Sequence, residues 1–203
     1  MIDMSALREK PTLSGDHVRL VPLAEEHAEA LYESTQDPET RRLMGTHRIF
    51  TLGEVREWCA ERAAQPDRLD LAIIEQAGDR HLGELSLMDV DRYNESAAYR
   101  IALSAIEFTG RGLGREATRL LLEYAFERIG LHRVSLEVYA FNMRAIAAYR
   151  ACGFAVEGRL RDALLWEGRR HDALVMSVLE RDFRRAMGPF PGRGGARSAA
   201  DHG

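Results

Sequence analysis

The sequence predicts an α/β (α+β) fold, an antiparallel meander with helices before and after it. Two observations carry this. "LDLAIIE", "HLGELSLMDV" and "SAAYRIAL" are strand-like segments separated only by the turn-like "QAGDR" and "DRYNE", a spacing that suits neighbouring antiparallel strands. Helical periodicity then brackets the meander, with two amphipathic stretches upstream and a glycine-led apolar run downstream.

The elements follow in chain order. "HVRLVPL" alternates Val18 and Leu20 with polar residues and predicts a first strand. "AEEHAEALYESTQDPETRRLM" places Ala24, Ala28, Leu31 and Tyr32 at helical spacing and breaks at its Asp-Pro pair. Thr51 or Gly53 starts a further helix, in which Val55, Trp58, Cys59 and Arg62 recur at three- and four-residue intervals. After the meander, Ala117, Leu120, Leu121, Tyr124 and Ala125 form a wide apolar helical stripe. "HRVSLEVYA" is rich in β-branched residues and reads as a strand. "NMRAIAAYRAC" reads as a helix capped by Asn142 and ended by Gly153 in a left-handed cap. Two strands joined near "WEGRRH", with Gly168 in the turn, close the fold. The expected division is an N-terminal extension over 1–13, one domain over 14–183, and a tail over 184–203. The "GPFPGRGGARSAADHG" of that tail has nothing to bury and is expected to be disordered.

With 203 residues, 45% hydrophobic and 30% charged, the chain has the composition of a globular domain with a sizeable core. A formal net charge of −4 gives no basic footprint for nucleic acid. "MIDMSALREK" lacks a basic and apolar leader pattern, and no run is long enough to cross a bilayer, so a cytoplasmic protein without a membrane partner is expected. Cys59 and Cys152 stand in no metal or redox spacing and read as reduced, packed thiols, and no metal site is expected.

The stretch with chemical content is "FTGRGLGREATRLLLEYAF", residues 108–126. It lacks the lysine of a P-loop. "GLGREA" satisfies the dinucleotide fingerprint GxGxxA, with Glu137 about 20 residues further on. That fingerprint should follow a buried parallel strand, whereas here a meander and "SAIEFTG" precede it. Three alternating glycines, Gly110, Gly112 and Gly114, let successive N–H groups point into one concavity at a helix start, which suits a pyrophosphate. Arg111 and Arg115 can add charge-assisted contacts.

Downstream, Asn142, Tyr149, Gly153 and Phe154, followed by "EGRLRDALLWEGRRHDALVMSVL", resemble the C-terminal half of the GNAT superfamily of N-acetyltransferases. The pattern is similar to the branch that includes ribosomal-protein-alanine and polyamine acetyltransferases, and the resemblance covers roughly residues 14–183. It implies a mixed, mostly antiparallel twisted sheet with a splayed strand pair that holds CoA. It turns Thr109, Gly110, Arg111, Gly112, Leu113, Gly114 and Arg115 into an acetyl-CoA pyrophosphate loop. Thr109 departs from the Gln or Arg usual in the family at that place. The pantetheine arm is expected beside Ile101, Ala102 and Leu103, and Asn142 and Tyr149 near the thioester. Branch members are often dimers, which leaves a homodimer open.

Acetyl transfer to an amine needs a neutral nucleophile, a stabilised oxyanion and a proton for the leaving thiolate. An amine of pKa about 10.4 is mostly charged at neutral pH, a deficit of about 4–5 kcal/mol that a base or water chain must relieve. The resemblance implies Tyr149 as the general acid, a role that competes with simple packing on the sheet. Asn142 is expected as a cofactor contact, a helix cap, or both. Glu84 in "HLGELSL" is the candidate base or water holder, while Ala98 stands where some relatives carry an acid on the next strand. Arg41, Arg42, His47, Trp166 and His171 are candidates for bordering the acceptor. The two arginines would disfavour a polyamine if they lined the pocket. The expected activity is direct acetyl transfer from acetyl-CoA to a primary amine, with protein N-termini, polyamines, amino acids and antibiotics all open as acceptors. A larger acyl group, a non-catalytic acyl-CoA-binding module and, more remotely, an NAD-dependent oxidoreductase are the alternatives.

Overall fold

The computed structural model describes residues 2–187. Among the described residues, eight strands form one sheet in the order β1-β2-β3-β4-β5-β6-β8-β7. They are β1 (Leu13–Ser14), β2 (Val18–Pro22), β3 (Leu69–Glu75), β4 (His81–Asp91), β5 (Ser96–Leu103), β6 (Arg133–Tyr139), β7 (Ala155–Trp166) and β8 (Arg169–Leu179). The meander is antiparallel, Leu71 facing Leu85 across β3–β4 and Leu85 facing Ile101 across β4–β5. Among the described residues, only β5 and β6 pair in parallel.

Helices cover both faces because residues alternate along the strands. On β3, Leu71 and Ile73 enter a large core with Leu85, Leu121, Phe126 and Phe183. Ala72 and Ile74 enter a smaller one with Ala28, Leu31, Val55 and Cys59. The second cluster is supplied by α2 (Ala28–Gln36) and α4 (Leu52–Ala64). The Asp-Pro break separates α2 from α3 (Pro38–Met44), where Asp37 Oδ2 accepts the Thr40 N–H at 2.6 Å. Of the two starts considered for α4, the chain uses Thr51. Its Oγ1 accepts the Glu54 N–H while Glu54 accepts the Thr51 N–H, a reciprocal cap.

The long apolar helix is α5 (Leu113–Tyr124), extended by a wider π-type turn over Ala125–Ile129. Leu121 is fully buried, a placement that contributes roughly 1.5–3 kcal/mol for such a side chain. α6 (Met143–Ala151) ends as expected: Gly153 has φ +91, and Cys152 and Phe154 are buried beside it.

Both ends of the expected domain reach further than the sequence division. Within 1–13, α1 (Met4–Arg8) buries Ala6 and Leu7, and Tyr124 donates its hydroxyl to the Ala6 carbonyl at 2.7 Å. The segment is therefore fastened to the core rather than appended to it. The expected tail start at 184 falls inside α7 (Glu180–Met187), which packs Phe183 on Phe126 with ring centroids 5.4 Å apart. The remainder of that tail, 188–203, lies outside the described residues.

Candidate functional site

The parallel ladder between β5 and β6 lasts three pairs, Ser96↔Arg133, Ala97↔Val134 and Ala98↔Ser135, and then stops. Past that point both strands border a cavity of about 770 Å³. β5 contributes Tyr99 to Leu103, β6 contributes Glu137 to Tyr139, and α3, α5 and α6 supply the other walls. The expected cofactor residues Ile101, Ala102, Leu103, Thr109, Gly110, Arg111, Gly112, Gly114, Arg115, Asn142 and Tyr149 all line it. Leu113 does not, because its side chain is buried in the core.

The glycine stretch has the geometry of a cradle. Gly110 and Gly112 have φ +76 and +83, and a Cβ on either would meet nothing within 4 Å. Positive φ is open to glycine at little cost, and the empty space leaves backbone N–H groups accessible. Gly112 caps α5 without a side-chain hydrogen bond, so the helix presents its first-turn donors towards the same hollow. Thr118 Oγ1 holds the turn from behind, 2.7 Å from the Gly114 carbonyl and 2.8 Å from the Tyr99 hydroxyl. The fit to a pyrophosphate group is therefore good, with backbone donors, a helix dipole and guanidinium groups on one concavity.

Tyr149 reaches the cavity from α6. Its ring stands edge-on to Tyr99 at 6.3 Å and leans on Phe154 at 5.7 Å. Burial pushes its pKa above that of an ordinary phenol, so the hydroxyl is protonated at neutral pH. The hydroxyl has no hydrogen-bond partner among the described residues. Asn142 fills both expected positions: its Oδ1 accepts the Ala145 N–H at 3.2 Å, and it lines the cavity.

Glu84 lies elsewhere. It pairs across to Ala102 on β5 and Ala72 on β3, is 8% exposed, and does not border the cavity. Alternation along β4 turns it towards the face covered by α2 and α4. Burial, with Asp70 adding to it and Arg100 opposing, raises its carboxyl to about 7, and its Oε2 has no hydrogen-bond partner among the described residues.

The carboxylate that does line the cavity is Glu137, which stands out in the sequence only as part of a dinucleotide fingerprint. Glu137 and Arg100 each stand two residues beyond the last parallel pair, so both project on the Ala98/Ser135 face, one from each wall of the opening. Both act on Tyr139: burial and then Glu137 raise its phenol, while Arg100 lowers it. Gly45, in a left-handed conformation at the end of α3, abuts the Tyr139 ring and closes this side. The polar alternation of Ser135, Glu137 and Tyr139 in "HRVSLEVYA" is the signal that could have found it.

The remaining expected acceptor residues do not line the cavity. His47 stacks on Trp166 with centroids 4.8 Å apart, and Phe141 meets His171 edge-on at 4.9 Å. Arg42 lies 4.4 Å over Phe141 and is held by two 2.7 Å hydrogen bonds to Glu39. Arg41 is outside the lining and has a buried Nε without a partner among the described residues.

Among the described residues no group of three or more His, Cys, Asp or Glu side chains is placed to hold a metal ion, and no helix is long and apolar enough to cross a membrane.

Comparison with known proteins agrees with this geometry. The chain is 31% identical over 108 residues to the spermidine N(1)-acetyltransferase of Vibrio cholerae, covering 53% of this chain and 62% of that one. It is 28% identical over 156 residues to the FsC-acetyl coenzyme A-N(2)-transacetylase of Aspergillus fumigatus, covering 72% and 66%. The matches thus span about two thirds or less of these curated relatives. A solved spermidine N-acetyltransferase from Vibrio cholerae, in complex with CoA and spermine, shares the fold with a TM-score of 0.75 at 22% identity, over 82% of this chain and 97% of that one. The family model for the acetyltransferase (GNAT) domain matches residues 17–155, a span that runs from β2 through the cradle and α6. More than half of the chain falls within that match, and the chain belongs to the GNAT acetyltransferase family.

Proposed function

We propose that this protein transfers an acetyl group from acetyl-CoA to a primary amine by direct attack. The observation that carries the reading is the interrupted β5–β6 ladder, whose opening joins the glycine cradle to Tyr149 in one cavity. The cradle from Thr109 to Arg115 would hold the pyrophosphate, and the edge of Ile101 to Leu103 that β6 leaves unpaired would face the pantetheine arm. In the reaction the amine nitrogen bonds to the acyl carbon, the carbon–sulfur bond breaks, Tyr149 gives its proton to the departing sulfur, and the N–H proton shed by the attacking nitrogen restores the phenol. Glu137 receives the incoming ammonium on the opposite face and relays its proton to solvent, a step that carries the cost of about 4–5 kcal/mol for a charged amine. The buried, unpaired thiols of Cys59 and Cys152 suit a reducing, cytoplasmic setting.

The test is a thiol-release assay crossing acetyl-CoA and succinyl-CoA with polyamines, amino acids, aminoglycosides and N-terminal peptides. Turnover with acetyl-CoA and at least one amine is expected. Tyr149→Phe should lower kcat roughly 10²-fold with CoA affinity nearly unchanged. CoA binding without turnover on any amine would favour a binding module instead, and stabilisation by NAD but not by CoA would overturn the reading.

A further inference from the structure

The cavity has a contact across its mouth that the acetyl-transfer chemistry does not use. Arg144 Nη1, in the first turn of α6, donates to Thr109 Oγ1 at 2.8 Å. Thr109 directly precedes Gly110, and Thr109 and Arg144 both line the cavity. A guanidinium carried by the opposite wall is thus parked at the rim of the cradle.

The other basic groups of the cradle are placed differently. Arg111 is 3.5 Å from the Glu75 carboxylate, and Glu75 also takes Arg80 at 3.2 Å. The carboxylate draws Arg111 towards β3 and offsets part of its charge. Arg115 belongs to the cradle's own helix, so it adds charge without bridging the walls. Arg144 alone among these three stands across the opening. It is exposed and hydrogen-bonded there to a neutral hydroxyl, with the Glu39 carboxyl near enough to feel its charge. A guanidinium gains more from a phosphoryl oxygen than from a hydroxyl, because the phosphoryl bond is charge-assisted.

We infer that Arg144 is a pyrophosphate ligand that clamps α6 to the cradle, giving up Thr109 for a phosphoryl oxygen when the cofactor is bound. The inference rests on the acetyl-CoA reading above. It gives α6 a second role, because the helix that carries Tyr149 is tied to the phosphate end of the cavity through Arg144, five residues earlier. Occupancy of the cradle then helps to fix the wall from which the acid projects.

The experiment measures binding of the full chain by calorimetry and thermal shift, with three probes: CoA, 3′-dephospho-CoA and S-acetylpantetheine, which lacks the phosphates. Arg144→Ala and Arg144→Gln, which stays polar but is shorter and uncharged, should each weaken CoA and 3′-dephospho-CoA roughly tenfold or more, the scale of one charge-assisted hydrogen bond. Neither should change the affinity for S-acetylpantetheine. Equal loss for all three probes would make Arg144 a structural brace and overturn the inference. So would unchanged CoA affinity, or a loss seen with CoA but absent with 3′-dephospho-CoA. Absence of CoA binding by the wild type would overturn the acetyl-CoA reading as well, whereas wild-type binding with unaffected variants would sink only the clamp.

Discussion

Replacing Glu84 with glutamine should make the protein more stable at alkaline pH and change it little at acid pH. Glu84 is almost fully buried between Ala72 and Ala102, and its Oε2 has no partner among the described residues. Its carboxyl is raised from an ordinary 4.5 to about 7, first by burial and then by Asp70, with Arg100 opposing. Below pH 4.5 both folded and unfolded chains carry the proton, and Glu84 makes no pH-dependent contribution. Between 4.5 and about 7 the unfolded chain has released it while the folded chain retains it, so stability falls as pH rises. The fall is complete above about 7 and amounts to something on the order of 3 kcal/mol. Glu84→Gln keeps the shape and cannot ionise. Urea unfolding of both proteins at about pH 4 and about pH 8 measures the effect, provided the m values agree. The gap between them should widen with pH by the amount above, and stability curves that run parallel would refute the reasoning. The same variant separates burial from catalysis: a base would lose roughly 10²-fold or more in kcat, whereas a carboxyl outside the cavity should leave kcat within a few-fold.

Gly112→Val should raise the KM for acetyl-CoA and lower the Tm by a few degrees. A β-branched residue at φ +83 is strained by about 1–2 kcal/mol and its side chain fills the open hollow. Unchanged KM would argue against the cradle. Glu137→Gln should lower kcat/KM for the amine roughly 10²-fold, with CoA affinity by calorimetry unchanged, and most severely near neutral pH where the amine is charged. Equal activity at all pH values would remove Glu137 from the reaction.

Most of the fold was legible because its signals are local. Thr51 with Glu54, Asp37 before Pro38, and Gly153 after α6 are caps built within a few residues, and each mark in the sequence became a helix end. The cradle was legible for the same reason: Thr109 to Arg115 is one contiguous segment whose glycines specify its own backbone. α1 was not legible, since Met4–Arg8 is a single short turn of helix with little periodicity. Its burial depends on distant partners, Ile129 through the Asp3 N–H and Tyr124 through the Ala6 carbonyl.

The acceptor side follows the opposite rule, and Glu84 against Glu137 shows why. Each is a glutamate on a strand candidate, and the alternation around Glu137 marks a polar face without saying that this face borders a cavity. The answer comes from two facts of pairing. Glu84 sits opposite Ala102 inside a continuous antiparallel ladder, with α2 and α4 over its face, so its environment is dry packing. Glu137 sits on β6 two residues after the parallel ladder with β5 has stopped, so the place where a neighbouring strand would lie is open. The length of that ladder depends on how β6 is held by β8 on its other side, from Arg133↔Leu179 to Tyr139↔Ala173, and thus on residues far along the chain. A carboxylate in a site of this kind is selected by where a sheet comes apart, a property of strand pairing rather than of any motif around the residue.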